Sequence, residues 1–221
     1  RRMVADLQVA PGERPAGMAP EPPPANALGV FSTVDDAVLA AGRAQPQFSR
    51  LPLRSRARII EAIRQTMVEH AAALAKAAHD ETGLGRVEDK VTKNLLVTEK
   101  TPGLEALFPE AVTGDHGLCL IEPAPFGVIG AITPCTNPTS TIICNAIGML
   151  AAGNAVVFNV HPAAKACSMQ TVALLNRAIL KAGGPPNVVT CLSNPSIETA
   201  QETMRHPGVR LLVVTGGGPV V

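Results

Sequence analysis

The apolar positions change their period once along this chain, near residue 115, and the change separates two kinds of structure. Upstream, Ile59, Ile60, Ile63, Met67, Ala71 and Leu74 recur at helical spacing behind Pro52 and predict a long helix to about His79. Gly83 and Gly85 are expected to stop it. A shorter helix is expected before it, with Ser32 as N-cap, Asp35 and Asp36 in the first turn and an end near Ala44. Residues 86–100 predict a third helix, closed by the break Thr101-Pro102-Gly103. Downstream, residues 116–122 and 126–133 are two strand-like runs separated by Pro123-Ala124-Pro125. From there strand and helix alternate: strand 126–133 with helix 138–152, strand 155–160 with helix 162–182, strand 187–192 with helix 195–206, then strand 209–214. Gly153 and Gly183-Gly184 fall where helix C-caps belong.

Parallel strands joined by helical crossovers imply an α/β fold, with N-terminal helices followed by a right-handed, Rossmann-like parallel sheet. Helix 138–152 is almost wholly apolar or small, so it should be buried on most sides. The sheet is expected to be truncated, because the run Arg210 to Val214 feeds Thr215-Gly216-Gly217-Gly218 and the chain stops where a helix belongs. An interrupted sheet leaves an unpaired edge, so the 221 residues alone are expected to fold poorly. The absence of Met at position 1 suggests a trimmed start as well. Residues 1–9 read as the end of an amphipathic helix, and the six prolines between residues 10 and 25 as a semi-extended tether. The ordered part is expected from about Leu28.

Composition narrows the partners. A net charge of +1 lacks the basic excess of a nucleic-acid binder, and the absence of Trp and Tyr leaves few platforms for stacking bases. No run approaches the roughly 18 apolar residues of a membrane span. Cys119, Cys135, Cys144, Cys167 and Cys191 never form a CxxC pair, which suggests reduced thiols in the cytoplasm and argues against disulfides or a metal site. Arg54, Arg56, Arg58 and Arg64, interleaved with Glu61 and Glu69, read as a solvated helix face in preference to an anion site.

Open parallel sheets bind ligands beyond the carboxyl ends of their strands. Four loops should therefore meet at one edge: 133–137, 160–162, 192–195 and 215–218. No GxGxxG follows the first strand, so phosphates must be held differently, with the triple-glycine turn as the best candidate. Asn137-Pro138 has the form of a helix cap, and Asn137 also suits an amide donor to an oxyanion. His161-Pro162 likewise opens a helix, or offers a donor to a ribose or phosphate. Cys135 and His161 fall on the loops after successive strands, where a thiol–imidazole dyad would make a nucleophile; the plainer reading of Cys135 is a packing residue. The other four cysteines read as small hydrophobes.

The whole run from Pro125 to Pro138 resembles the aldehyde dehydrogenase superfamily, as do Gly153-Asn154-Ala155-Val156-Val157-Phe158 and Val214-Thr215-Gly216-Gly217. Thr136-Asn137-Pro138, Met149-Leu150-Ala151-Ala152-Gly153-Asn154 and His161-Pro162-Ala163-Ala164-Lys165 resemble its CoA-acylating branch, in particular the acetaldehyde/propionaldehyde dehydrogenases of bacterial microcompartments. Glu81-Thr82-Gly83-Leu84-Gly85 and Glu88-Asp89-Lys90 extend the likeness, which runs from about residue 28 to the end.

That resemblance implies NAD-dependent oxidation of acetaldehyde or propionaldehyde to an acyl-CoA, with CoA as co-substrate. A cysteine thiolate adds to the carbonyl, hydride passes to nicotinamide, and CoA resolves the thioester. The family's nucleophile lies downstream of Val221, so the fragment is expected to be inactive alone and Cys135 is assigned to the nicotinamide-side loop. Asn137, or its neighbour Thr136, matches the oxyanion region. Ile132, Thr133, Pro134 and Cys135, then Asn159, His161 and Pro162, then Thr215, Gly216 and Gly217 match the cofactor side. Asn159 and Pro162 stand where hydrolytic members carry Lys and Glu, and Val221 where their phosphate turn has a further Gly; both departures suit a site that also admits CoA. The implied organisation is a remnant of a targeting helix with its tether (1–27), the helical part of the cofactor domain (28–115), an oligomerisation arm (116–125) and an incomplete nucleotide-binding part (126–221), without the catalytic domain. It implies a homo-oligomer, a shell partner for the N-terminal helix, and a cytoplasmic or microcompartment-lumen setting. Two alternatives stay open: the aldehyde half of a bifunctional alcohol/aldehyde dehydrogenase, and a non-catalytic nucleotide-binding or cargo module.

Overall fold

The computed structural model describes residues 28–217, so the expectations for residues 1–27 and 218–221 lie outside the described residues. Its centre is a sheet of five parallel strands in the order β1-β6-β5-β4-β7: β1 Val30–Phe31, β4 Val128–Thr133, β5 Ala155–Val160, β6 Val189–Leu192 and β7 Leu211–Val214. Every residue of β4, β5 and β6 is buried, which is why these strands read as near-continuous apolar runs, broken only by Thr133, Asn159 and Thr190, and show no alternation. Three strands begin two residues later than expected, at Val128, Val189 and Leu211. The fifth strand was not anticipated. β1 has only two residues and carries no periodic signal, yet Val30 and Phe31 pair with Cys191 and Leu192.

The helices follow the apolar stripes. α2 (Leu53–Thr82) buries Ile59, Ile60, Ile63, Met67, Ala71 and Leu74 and ends at Gly83, whose φ of +68° continues no right-handed helix. α3 is Val87–Lys100. α1 (Val34–Ser49) corrects the sequence expectation at both ends. Its N-cap is Thr33, not Ser32: Thr33 Oγ1 accepts from the Asp36 amide at 3.2 Å. It also runs past Ala44 and through Pro46, because Phe48 is fully buried and draws the last turn into the core.

Two arginines were also misread. Arg56 donates to the Ala151 carbonyl at 3.1 Å, and Arg64 to the carbonyls of Thr98 and Thr101, the latter at 2.7 Å. They satisfy the free carbonyls at the ends of α4 (Pro138–Ala151) and α3, and are only partly solvated. Burial lowers the pKa of Arg56.

Chain order fixes the layers. From β4 the chain moves through α4 to β5 and through α5 (Lys165–Lys181) to β6, always in one direction across the sheet. It then returns through α6 (Ile197–Arg205) to β7 on the far side of β4. Right-handed crossovers of opposite direction put their helices on opposite faces. Accordingly α4 packs with α5, whereas α6 packs with α1, and α2 and α3 lie over α4. As expected, α4 is buried nearly all round, with Gly148 its one exposed residue. A hairpin of β2 (Glu110–Gly114) and β3 (Gly117–Ile121) stands outside these layers with every residue exposed. This places Cys119 in solvent, against its expected role as a packing residue; Cys167 and Cys191 are buried as anticipated. No described helix is long and apolar enough to cross a membrane.

Candidate active site

The reversal between β4 and β7 makes a switch point, where the two βα turns part and leave a crevice at the carboxyl ends. β4 and β7 are paired there through Ile132 and Val214. The crevice is a cleft of about 990 Å³. Its walls are Ile132, Thr133, Pro134, Cys135 and Asn137 from the β4–α4 turn, Asn159, His161 and Pro162 from the end of β5, and Thr215, Gly216 and Gly217 after β7. The structure thus brings every anticipated site residue to one cavity.

One expected wall is different. Residues 192–195 do not line the cleft, and the fourth side is α6 itself, through Ser196, Ile197, Ala200, Gln201 and Met204. The cause is a capping box. Ser196 Oγ accepts from the Thr199 amide at 3.2 Å, and Thr199 Oγ1 accepts from the Ser196 amide at 2.8 Å. Asn159, 3% exposed, locks this box to β5: its Oδ1 accepts from Thr199 Oγ1 at 2.7 Å and its Nδ2 donates to the Ser196 carbonyl at 3.4 Å. Asn159 therefore shapes the cleft by placing the start of α6. The signal available in the sequence was Ser196 as an N-cap ahead of Ile197, an apolar residue left 74% exposed.

The two cap-like pairs resolve differently. His161 is a true cap, its Nδ1 accepting from the Ala163 amide at 3.1 Å to open the 3-10 turn Pro162–Ala164. The α-helix starts only after that turn, at Lys165, because the carboxylate of Glu81 takes the Ala166 and Cys167 amides at 2.7 and 2.8 Å. That role of Glu81 was not foreseen, and it closes the N-terminus of α5 to any other anion. Asn137 occupies the N-cap position of α4, with Pro138 at the first helical residue as expected, but its side chain makes no capping bond. Its Oδ1 instead accepts from Lys93 Nζ at 3.1 Å. Among the described residues Cys135 makes no hydrogen bond to His161; its side chain packs beside Ala78, Ala164 and Cys167. The dyad gains no support from this geometry.

Three properties suit the cleft to a nucleotide. Its volume is that of a typical small-molecule site, roughly 300–1,000 Å³. None of its lining residues is Asp or Glu, so a phosphate entering it meets no fixed negative charge. Thr133 Oγ1 is buried in its wall without a partner in the described protein, a polar group still unspent.

Known proteins resemble the chain over most of its length. The sequence profile of the Aldehyde dehydrogenase family matches residues 28–221. The chain is 52% identical over 194 residues to acetaldehyde dehydrogenase (acetylating) EutE of Salmonella typhimurium, covering 88% of this chain and 41% of that relative. The crystal structure of Rhodopseudomonas palustris propionaldehyde dehydrogenase, with bound CoA and an acylated cysteine, superposes with a TM-score of 0.86 at 49% identity, over 88% of this chain and 45% of that one. A propionaldehyde dehydrogenase from the fucose utilisation bacterial microcompartment of Clostridium phytofermentans gives 0.86 at 50% identity, over 87% and 44%. The chain spans about two fifths of the length of the curated relatives it matches.

Proposed function

Because the chain belongs to the aldehyde dehydrogenase family, we propose that the intact protein oxidises acetaldehyde or propionaldehyde to its acyl-CoA with NAD as oxidant, and that the described residues form the nucleotide side of its active site. The observation that carries this is the cleft at the β4/β7 switch point, free of carboxylates and walled by the residues that match the family's cofactor side. NAD held there would supply the hydride acceptor. Gly216 and Gly217 would face its phosphates with backbone alone and Thr215 with backbone and hydroxyl, while His161 and Pro162 border the end of the cleft at β5. Thr133 Oγ1 has a free hydrogen bond to offer. Asn137 would offer an amide N–H to the oxygen of a substrate carbonyl as negative charge develops on it. On this reading the cysteine that carries the acyl group would lie beyond Val221, and Cys135 serves as a wall of the site.

The same reading extends to assembly and location. The exposed hairpin β2–β3 presents Val112, Leu118, Leu120 and Ile121, more than half exposed each, as an apolar arm for a second copy. Residues 1–27 would address the protein to a microcompartment shell, the setting of the similar Clostridium enzyme.

The test is NADH formation by the purified intact protein. Aldehyde and NAD alone should give no sustained turnover, and addition of CoA should start it with acyl-CoA as product. Turnover without CoA, yielding free acid, would overturn the acylating assignment.

A further inference from the structure

Behind the β4–α4 turn, α3 reaches the loop with three side chains of one face, Lys90, Lys93 and Asn94. Lys90 is 5% exposed, and its Nζ donates to the Thr136 carbonyl at 2.9 Å. Lys93 Nζ donates to Asn137 Oδ1 at 3.1 Å. Asn94 is buried, donates to the Ala71 carbonyl at 3.1 Å and accepts from Thr139 Oγ1 at 2.9 Å. Thr136, Asn137 and Thr139 are thus tied to α3 one after another.

A buried ammonium is costly unless something compensates it. Among the described residues no carboxylate lies within ion-pair distance of Lys90, and burial followed by the neighbouring Lys93 charge lowers its pKa. The compensation it has is the Thr136 carbonyl, the peptide oxygen next to Asn137. Lys93 then decides which way the Asn137 carboxamide faces. An ammonium has donors only, so the amide end that meets it must be the oxygen. The Nδ2 end makes no hydrogen bond among the described residues, and Asn137 is part of the cleft wall. Neither lysine lines the cleft, so Lys93 acts on it through Asn137 and Lys90 through the adjoining Thr136 peptide.

We infer that Lys90 and Lys93 are positioning residues, which hold the Thr136–Asn137 segment so that Asn137 presents its N–H groups to an oxyanion in the cleft. This rests on the proposed acylating reaction and assigns to α3 a part in it. The test uses the intact protein and the variants Lys93→Met, Lys93→Arg, Lys90→Met, Asn137→Ala and the double variant Lys93→Met/Asn137→Ala. Lys93→Met should lower kcat about 10-fold or more, less than the ~100- to 1,000-fold cost of deleting an oxyanion donor. The KM for NAD should stay near the wild-type value, and Lys93→Arg should restore most of kcat. The double variant should be no slower than Asn137→Ala, because the lysine acts only through that amide. Lys90→Met should repeat the kcat loss; if it unfolds, the Lys93 series decides. Wild-type kcat in Lys93→Met, or costs that multiply in the double variant, would overturn the positioning role while leaving the proposed reaction standing. A wild-type protein that does not oxidise aldehyde in the presence of CoA would instead overturn the proposed reaction, and this role with it.

Discussion

Glu81 shows how one side chain sets the start of a helix it does not belong to. It closes α2, yet its two carboxylate oxygens serve as the cap of α5. Glu81→Ala should destabilise the intact protein by about 1 kcal/mol, with Glu81→Gln intermediate, as read from urea unfolding midpoints. Unchanged midpoints would contradict the cap. Beside it, burial first and Glu81 second push the Cys167 thiol up to about 12, and burial pushes Cys191 up to about 12. Both are acids whose folded pKa lies above the unfolded 9.0, so the folded state holds more protons between those values and stability falls as pH rises from about 9 to 12. At mildly alkaline pH neither thiol should react with iodoacetamide before unfolding; native-state labelling of either, seen by peptide mass spectrometry, would contradict this burial. At this scale the sequence told half the story. Asn137 and His161 were visible as helix-opening residues from their Pro neighbours. The partners that settle their roles, Lys93 for one and the Ala163 amide for the other, differ in kind: the second is local, whereas the first lies 44 residues away and has no local signature.

Elements with a long periodic pattern were legible, and so were the short apolar runs of β6 and β7; the two-residue β1 was not. α2 announced itself by six apolar positions and a terminal glycine, whereas β1 has two residues and is held by tertiary contacts alone. Asn176 Nδ2 donates to the carbonyls of Leu28, Val172 and Val189, joining the approach to β1 to the start of β6. Gly29 fits between them with φ of +79°, and a Cβ there would lie 2.2 Å from the Val189 carbonyl oxygen and 2.4 Å from Asn176 Nδ2. Gly29→Ala should therefore cost on the order of 2–3 kcal/mol in a denaturant titration, combining backbone strain with a clash against a strand. A midpoint equal to wild type would mean that β1 is not seated as described. The same lack of local pattern hid α6 as a wall of the cleft. Its capping box could be read from Ser196, but its contact with Asn159 depends on β5 being its neighbour.

For the whole molecule, the alternation of strands and helices was enough to expect a parallel sheet with its ligand edge at the carboxyl ends. It could not give the strand order, because β4, β5 and β6 are buried throughout and no alternation in them marks which strand pairs with which. The order is set by the tertiary pairing of the strands, and with it comes the switch point where β7 returns beside β4 and opens the cleft. That this cleft is the nucleotide site is the centre of the account, and calorimetric titration of NAD into the intact protein tests it most directly, with Ala200→Trp as the comparison. Ala200 lines the cleft from α6, so an indole there would occupy the space assigned to the cofactor. The account predicts saturable binding by the wild type and its loss in Ala200→Trp, with both proteins unfolding cooperatively at similar temperatures. NAD binding equally well to both would place the nucleotide elsewhere and contradict it.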